Sequence, residues 1–181
     1  EVMSFSTVLQ VSSALILDNS NERVMTGAAD LSLLASLDIS DGGVISTGGT
    51  ISLLAGGQLS GSGELDLSGS TWVLGGDFDK RSAVGSLLSG TLTISQTDLK
   101  LVDNSTLTSD EALSFVTLNL NNFKLTLGSS TSDLTVENAI TIDASTEGIL
   151  TGGADLVLMS ALTLSAGDGT GPGDTEDAAD G

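Results

Sequence analysis

The chain reads VMTGAADLSLLASLDIS at residues 24–40 and ILTGGADLVLMSALTLS at residues 149–165. With the flanking sequence included, residues 9–40 match residues 134–165 at fourteen of thirty-two positions. Chance in so biased a composition would give roughly three or four identities. The two stretches therefore belong to an internal repeat with an offset of 125 residues.

A shorter period of paired apolar residues lies inside the long repeat. Its spacings are 22, 28, 27, 26, 22 and 22 residues, and the first five add up to 125, so the long repeat is predicted to contain a whole number of short units. Strict alternation of apolar and polar residues is typical of strands with one buried face. The pairs are Leu15/Leu17, Leu37/Ile39, Leu65/Leu67, Leu92/Ile94, Leu118/Leu120, Ile140/Ile142 and Leu162/Leu164.

Short strands that recur at this spacing predict an all-β fold, a single parallel β-solenoid over residues 1–165. About six to seven coils of 22–28 residues are expected, with equivalent strands stacked about 4.8 Å apart. A β-sandwich is the alternative, and it predicts longer strands and an irregular register. The solenoid predicts two inward ladders, meaning columns of stacked side chains, from Leu65, Leu67, Leu92, Ile94, Leu118, Leu120, Ile140 and Ile142.

Composition excludes several classes of function. The 181 residues carry a formal net charge of −19 with only five basic residues, which argues against nucleic acid as a partner and against anionic membranes. No apolar run is long enough for membrane insertion. The chain has no His and no Cys, so the usual general bases and thiol nucleophiles are missing. We expect no enzyme activity, and no catalytic, cofactor-binding or metal-binding residue is assigned.

The segment GGDFDKRSAVGS at 75–86 is the longest interruption between predicted strands. It holds Asp77, Asp79, Lys80 and Arg81, so it is either a protruding loop that binds a partner or ion, or a solvated loop with local ion pairing. Asp98 and Lys124 occupy equivalent positions in consecutive predicted coils and are expected to form a cross-strand ion pair.

Acidic clusters raise the question of calcium. The segment LVDNSTLTSDEA at 101–112 contains Asp103, Asn104, Asp110 and Glu111, whose oxygens could hold calcium at a coil corner, although no standard calcium loop is present. We therefore predict no cofactor and keep calcium as the alternative. Residues 166–181, AGDGTGPGDTEDAADG, have lost the alternation and are expected to form a flexible acidic Gly-rich tail.

Segments such as ALTLSAG, GTLTIS and LSGSGELDLSGSTWVLGG resemble the repeats of filamentous-haemagglutinin-like and autotransporter-passenger β-helices. The shared motif is the Leu-x-Leu strand with Gly/Ser corners, and it carries no functional residue with it. The resemblance implies an exported parallel β-helix for surface architecture or adhesion, located outside the cell or on its surface. A chain that starts at Glu1 without Met fits either a processed, exported protein or a fragment.

Three functions follow from this interpretation. Solenoid ends expose unpaired strand edges, which natural solenoids usually cap, and neither SFSTVLQVSSALIL near the N-terminus nor the coil around 156–164 has a recognisable cap. We predict a structural subunit that partners itself, stacking head to tail into an extracellular filament. The alternatives are a covalent segment of a cell-surface adhesin stalk with a 125-residue repeat, and a monomeric solenoid that binds cell-surface or matrix polysaccharide. The last would need an exposed aromatic platform, but the only Trp, Trp72, falls at an inward position.

Overall fold

The alternating apolar residues form short strands, as their period of two predicts. The structure, a computed structural model, describes residues 2–4, 7–46, 48–54, 59–81, 88–129 and 132–165. These residues form strands and turns and contain no helix. The predicted tail at 166–181 and residues 82–87 of the predicted loop lie outside the described residues.

The strands are two to five residues long. The first eleven are β1 Val2–Ser4, β2 Leu9–Val11, β3 Leu15–Ile16, β4 Arg23–Gly27, β5 Leu31–Leu33, β6 Leu37–Asp38, β7 Gly43–Ser46, β8 Thr50–Leu53, β9 Leu59–Ser60, β10 Glu64–Asp66 and β11 Thr71–Leu74. The remaining twelve are β12 Phe78–Lys80, β13 Thr91–Thr93, β14 Asp98–Leu101, β15 Ser105–Ser109, β16 Leu113–Phe115, β17 Leu118–Asn119, β18 Lys124–Leu127, β19 Leu134–Val136, β20 Ile140–Ile142, β21 Gly148–Leu150, β22 Leu156–Leu158 and β23 Leu162–Leu164.

Successive strands visit three faces in turn. The first face begins with the sheet β1-β4-β7-β10-β13, the second is the sheet β2-β5-β8-β11-β14-β17, and the third begins with β3-β6-β9. Every pairing between the described strands is parallel. The result is a β-solenoid of about six turns, which confirms the predicted fold class.

The third face gains an additional level in the middle of the chain. Leu88 forms parallel bridges both with Gly61, next to β9, and with Lys80 of β12. Above this point the third face continues as β12-β15-β18-β21, and the first face continues as β16-β19-β22. On the second face the two-stranded sheet β20-β23 lies next to β17. The strands on both sides of this additional level pair in parallel, so the solenoid continues past it.

Coil length varies more than the spacing of apolar pairs suggested. One turn takes 19 residues from Leu99 to its partner Leu118 and 29 residues from Phe78 to its partner Leu107. This variation overturns part of the predicted ladders. Leu65 does stack on Leu92, but Leu118 stacks on Leu99 in a different sheet. The inward orientation is nevertheless confirmed, because Leu65, Leu67, Leu92, Leu118, Leu120 and Ile140 are buried while Ile94 and Ile142 pack against the core half-buried.

Several backbone hydrogen bonds of the long repeat recur at the same positions in both copies. The N–H of Leu9 donates to the carbonyl of Asp30 at 2.9 Å, and the N–H of Leu134 donates to that of Asp155 at 2.9 Å. At the next turn Gly27 and Gly152 both have positive φ, 56° and 62°. In this left-handed region glycine meets no steric penalty, so the same turn is specified twice.

The two copies of the long repeat do not lie on the same face, which corrects the prediction of a whole number of coils. β2 belongs to the second face, whereas its copy β19 pairs with β16 and β22 on the first face. The copy of β3, which is β20, lies next to β17 on the second face. The second copy is therefore turned by one face relative to the first, because the coils between them are shorter than the predicted units and one of them carries the additional level.

Among the described residues, the core is a column of aliphatic side chains with one aromatic cluster. Trp72 is 2 % exposed, as its inward position predicted. Its ring meets Phe78 edge-on with centroids 4.8 Å apart, and Phe115 lies 6.0 Å away. Edge-to-face aromatic pairs stabilise a core beyond the area that they bury. The cluster fills the solenoid where the third face widens to hold β12.

Candidate functional site

The segment at 75–86, which was predicted to be an interruption between strands, is in part a core strand. Phe78 and Lys80 of β12 point inward, and Lys80 is only 1 % exposed. The Lys80 ammonium lies 3.0 Å from the Glu111 carboxylate, and Arg81 forms an ion pair with Asp79. The hydrogen bonds that Arg81 donates to the Asp79 carboxylate raise the pKa of Arg81 above its ordinary value. The described part of this segment therefore shows the local ion pairing of the second alternative, although Lys80 lies in a buried strand and not in a solvated loop.

The predicted ion pair between Asp98 and Lys124 is wrong. Asp98 begins β14, which pairs with β17, whereas Lys124 begins β18, which pairs with β15 and β21 on another face. The Asp98 carboxylate instead accepts a hydrogen bond from the Thr117 hydroxyl at 2.6 Å. The prediction failed because the coil between them is shorter than the assumed spacing.

The four candidate calcium ligands in 101–112 are not brought together. Asp103 and Asn104 precede β15, whereas Asp110 and Glu111 follow it, so a five-residue strand separates the two pairs. Glu111 is engaged by Lys80, and Asn104 accepts the backbone N–H of Lys124 at 2.9 Å. Within the described ranges, no group of three or more acidic, His or Cys side chains is placed to hold a metal ion.

A recurrent contact that the sequence did not reveal links one coil to the next. At three corners an Asp or Asn placed just before a strand accepts, through its Oδ1, a backbone N–H from the coil above, whereas no such hydrogen bond is formed by Asp133 before β19 among the described residues. The three examples are Asp30 with Thr50 at 2.8 Å, Asp77 with Thr106 at 3.0 Å and Asn104 with Lys124 at 2.9 Å. We call this contact the corner clamp. Asp155, the copy of Asp30, stands just before β22, and no described residue lies above it.

A second repeated feature is a carboxylate turn. Glu22 accepts the backbone N–H of Asp18 at 2.9 Å, and its copy Glu147 accepts the N–H of Asp143 at 3.0 Å. Glu147 also accepts the N–H of Asn122 at 2.8 Å. These donors, Asn122 first and then Asp143, hold the pKa of Glu147 below its ordinary value, because they stabilise the ionised carboxylate. In the first copy of the repeat this turn lies between β3 and β4, and in the second copy it lies between β20 and β21.

An open groove of about 400 Å³ borders the Glu147 turn. It lies where the second face changes from the β17 sheet to the β20 sheet, and Asn121, Asn122, Asp143 and Glu147 are among its lining residues. The lining contains no aromatic ring, and Trp72 lies in the core. The groove therefore lacks the stacking platform that sugar rings prefer.

The coil made of β21, β22 and β23, which we call the open coil, exposes side chains that its copy buries. Leu162 is 44 % exposed, whereas Leu37, its copy in β6, is 1 % exposed. Leu164 is 68 % exposed, whereas Ile39 is fully buried. The difference arises because β7, β8 and β9 cover the coil of the first copy, while no described residue covers the open coil.

The opposite end of the solenoid shows the same contrast. Leu9 and Leu15 of the first coil are only partly buried, but their copies Leu134 and Ile140 are 1 % and 0 % exposed. Leu134 stacks on Leu113 of β16 beneath it, and Ile140 lies above β17. Both described ends thus present inward-facing apolar side chains and unpaired strand edges.

No family model, curated protein or solved structure matches the chain. The fold assignment therefore rests on the strands and their register alone, and the resemblance to haemagglutinin-like and autotransporter repeats stays a prediction. Over the residues that the structure describes, no helix has the length and apolarity needed to cross a membrane.

Proposed function

We propose that the chain is the structural subunit of an extracellular filament, in which β-solenoids stack head to tail. The observation that carries the proposal is the exposure of Leu162 and Leu164 in the open coil, compared with the burial of Leu37 and Ile39 at the copied positions. Full burial of such a side chain contributes about 1.5–3 kcal/mol. A coil placed over β21–β23 would recover this free energy.

The first coil of another copy is a suitable cover for three reasons. It offers Leu9, Val11 and Leu15 as inward residues with the same alternation as the ladder below. Its strands run in the direction needed for parallel pairing, because all described pairs in the solenoid are parallel. Contacts between two different ends repeat without closing a ring and so produce a filament.

Residues 166–181 are a poorer cover, since AGDGTGPGDTEDAADG lacks the alternating apolar pairs that every coil uses. The exported location, which the haemagglutinin-like Leu-x-Leu repeats suggest, is part of the proposal. So is the structural rather than catalytic role.

The second candidate is a covalent segment of a longer adhesin stalk. The internal repeat favours it, because residues 9–40 and 134–165 show that this sequence already duplicates itself along one axis. In that arrangement the cover of the open coil belongs to the same polypeptide. A monomeric polysaccharide-binding solenoid has less support, because Trp72 is buried.

The test is sedimentation and electron microscopy of the purified chain over a range of concentrations. The filament predicts rods that lengthen with concentration, and Leu162→Lys should abolish them because it places a charge in the joint. Thr163→Lys is the matched control, since Thr163 lies one position away and pairs with the outward-facing Thr141. A chain that stays monomeric at every concentration would rule out the filament and leave the covalent stalk.

A further inference from the structure

We infer that the joint between two copies is turned by one face, so that β22 of one copy pairs with β2 of the next and Asp155 accepts the backbone N–H of the next copy's Val8. This inference rests on the proposed head-to-tail filament and specifies its contact. In the untwisted alternative the faces continue directly, and β2 would pair with β23.

The corner clamp is the first observation that selects the turned joint. Asp30 precedes β5 and accepts the N–H of Thr50, the residue just before Ile51, which pairs with Leu31. Asp155 precedes β22 in the same way, and the residue that precedes Leu9 in β2 is Val8. When β2 lies on β22, the Val8 N–H takes the place of the Thr50 N–H. When β2 lies on β23, β1 lies on β22, and the Val8 N–H stands opposite Ala161 instead of Asp155.

The corners give the second observation. The connection from β22 to β23 has three residues, as has the connection from β2 to β3. Inside the chain the same type of corner already stacks on itself, with the N–H of Leu34 donating to Val11 at 2.9 Å and the N–H of Met159 donating to Val136 at 3.0 Å. The turned joint places the two three-residue corners on top of each other. The untwisted joint would place the corner after β22 beneath the four-residue connection from β1 to β2.

The third observation is that the chain already makes a turn of this kind. The second copy of the long repeat is displaced by one face from the first, since β19 is on the first face and β2 is on the second. A next copy turned by one face therefore puts β1, β2 and β3 over β21, β22 and β23. This is the order in which β7, β8 and β9 lie over β4, β5 and β6.

Engineered disulfides test the two registers directly, because the chain has no native Cys. Stacked parallel residues lie about 4.8 Å apart, within the Cα separation that a disulfide requires. The turned joint places Val157 opposite Gln10, and the untwisted joint places Thr163 opposite Gln10. All three side chains are exposed and point outward. Within the chain, Val157 pairs with Thr135, Gln10 with Ser32 and Thr163 with Thr141.

Oxidation of the Gln10→Cys/Val157→Cys variant is expected to give a covalent ladder of oligomers on a non-reducing gel. The Gln10→Cys/Thr163→Cys variant is expected to stay at the monomer band. The reverse result, or filaments in the microscope with no cross-link in either variant, would overturn the turned joint while leaving the filament intact. Absence of filaments for the unmodified chain would instead reject the proposed function.

The corner clamp has its own test. Asp155→Asn keeps an Oδ1 acceptor, as Asn104 does in its clamp, and removes one negative charge. Asp155→Ala removes both the acceptor and the charge. The turned joint predicts that Asp155→Asn assembles at least as well as the unmodified chain, whereas Asp155→Ala needs a several-fold higher concentration. Equal assembly of the two variants would contradict a role for Asp155 as an acceptor.

Discussion

The ammonium of Lys80 lies 3.0 Å from the carboxylate of Glu111, with the lysine side chain 1 % exposed and the glutamate 54 % exposed. This pair joins β12 to the turn after β15, at the level where the third face takes its additional strand. A buried ammonium without a partner is unfavourable, but an ion pair gains little over a well-packed apolar residue. We therefore expect the pair to fix the local register more than it adds to the total stability.

Removing the Glu111 carboxylate is expected to lower the free energy of unfolding more than replacing the buried Lys80 does. Glu111→Gln should lower the free energy of unfolding by about 1–2 kcal/mol, because it leaves the Lys80 ammonium without its carboxylate. Lys80→Met keeps most of the volume and removes the charge, so we expect a smaller loss or a gain. Urea unfolding followed by circular dichroism measures both. A large loss for Lys80→Met with none for Glu111→Gln would contradict this assignment.

Leu118 and Lys124 test the inward and outward assignment. Leu118 is buried in the second face, and Leu118→Asp should cost several kcal/mol because it buries an unpaired charge. Lys124→Ala should change stability by less than about 1 kcal/mol, because its side chain is exposed and its backbone N–H still donates to Asn104. Melting temperatures that fall equally would show that the faces are misassigned.

The Glu147 turn predicts a dependence of stability on acid. Hydrogen bonds from the N–H groups of Asn122 and Asp143 lower the pKa of Glu147 in the folded chain, so its stabilising contribution is present above the pKa of an unfolded Glu and is lost as the pH falls through the lower folded value. Glu147→Gln should therefore flatten the fall in melting temperature on acidification. Glu137→Gln, at an exposed carboxylate, is the control for charge alone. Identical pH profiles for Glu147→Gln and the unmodified chain would exclude this contribution.

Charge should govern how readily the chains assemble. The formal net charge of −19 makes neighbouring copies repel, and salt screens that repulsion, with a Debye length of about 10 Å at 0.1 M. Filament length is therefore expected to rise with salt, and with divalent cations at lower concentrations. Light scattering across a salt series measures this, and assembly that weakens as salt is added would argue against an apolar joint.

The fold could be predicted from the sequence because the alternation in the Leu-x-Leu pairs indicates which residues face inward. Leu65, Leu67 and Leu120 show how reliable this alternation is, since all three are buried. Register was harder to predict, because corner length is set by turns rather than by apolar spacing. The 19-residue turn from Leu99 to Leu118 broke the assumed period. That error also produced the wrong pair between Asp98 and Lys124.

The interactions between coils were beyond sequence reasoning for a different reason. The corner clamp of Asp30 reaches Thr50, twenty residues away, and only a known register shows that the two are neighbours. Phe78 and Lys80 looked like part of a surface loop because Gly75, Gly76 and three charged residues surround them. Only the additional level of the third face shows that Phe78 belongs to the core.

The most direct test of head-to-tail stacking measures the mass of two variants, alone and mixed. Each variant carries a new charge at one end of the solenoid. Leu9→Asp places a charge at the first coil, and Leu164→Asp places one at the open coil. Circular dichroism of each variant verifies that it keeps the β-rich fold. The filament predicts that each variant alone is monomeric, because every contact needs one end of each kind.

An equimolar mixture of the two variants should form dimers and nothing larger, because only one pair of intact ends remains. Analytical ultracentrifugation distinguishes these states. Filaments from either variant alone, or a mixture that stays monomeric under conditions where the unmodified chain polymerises, would contradict head-to-tail stacking through β21–β23 and the first coil.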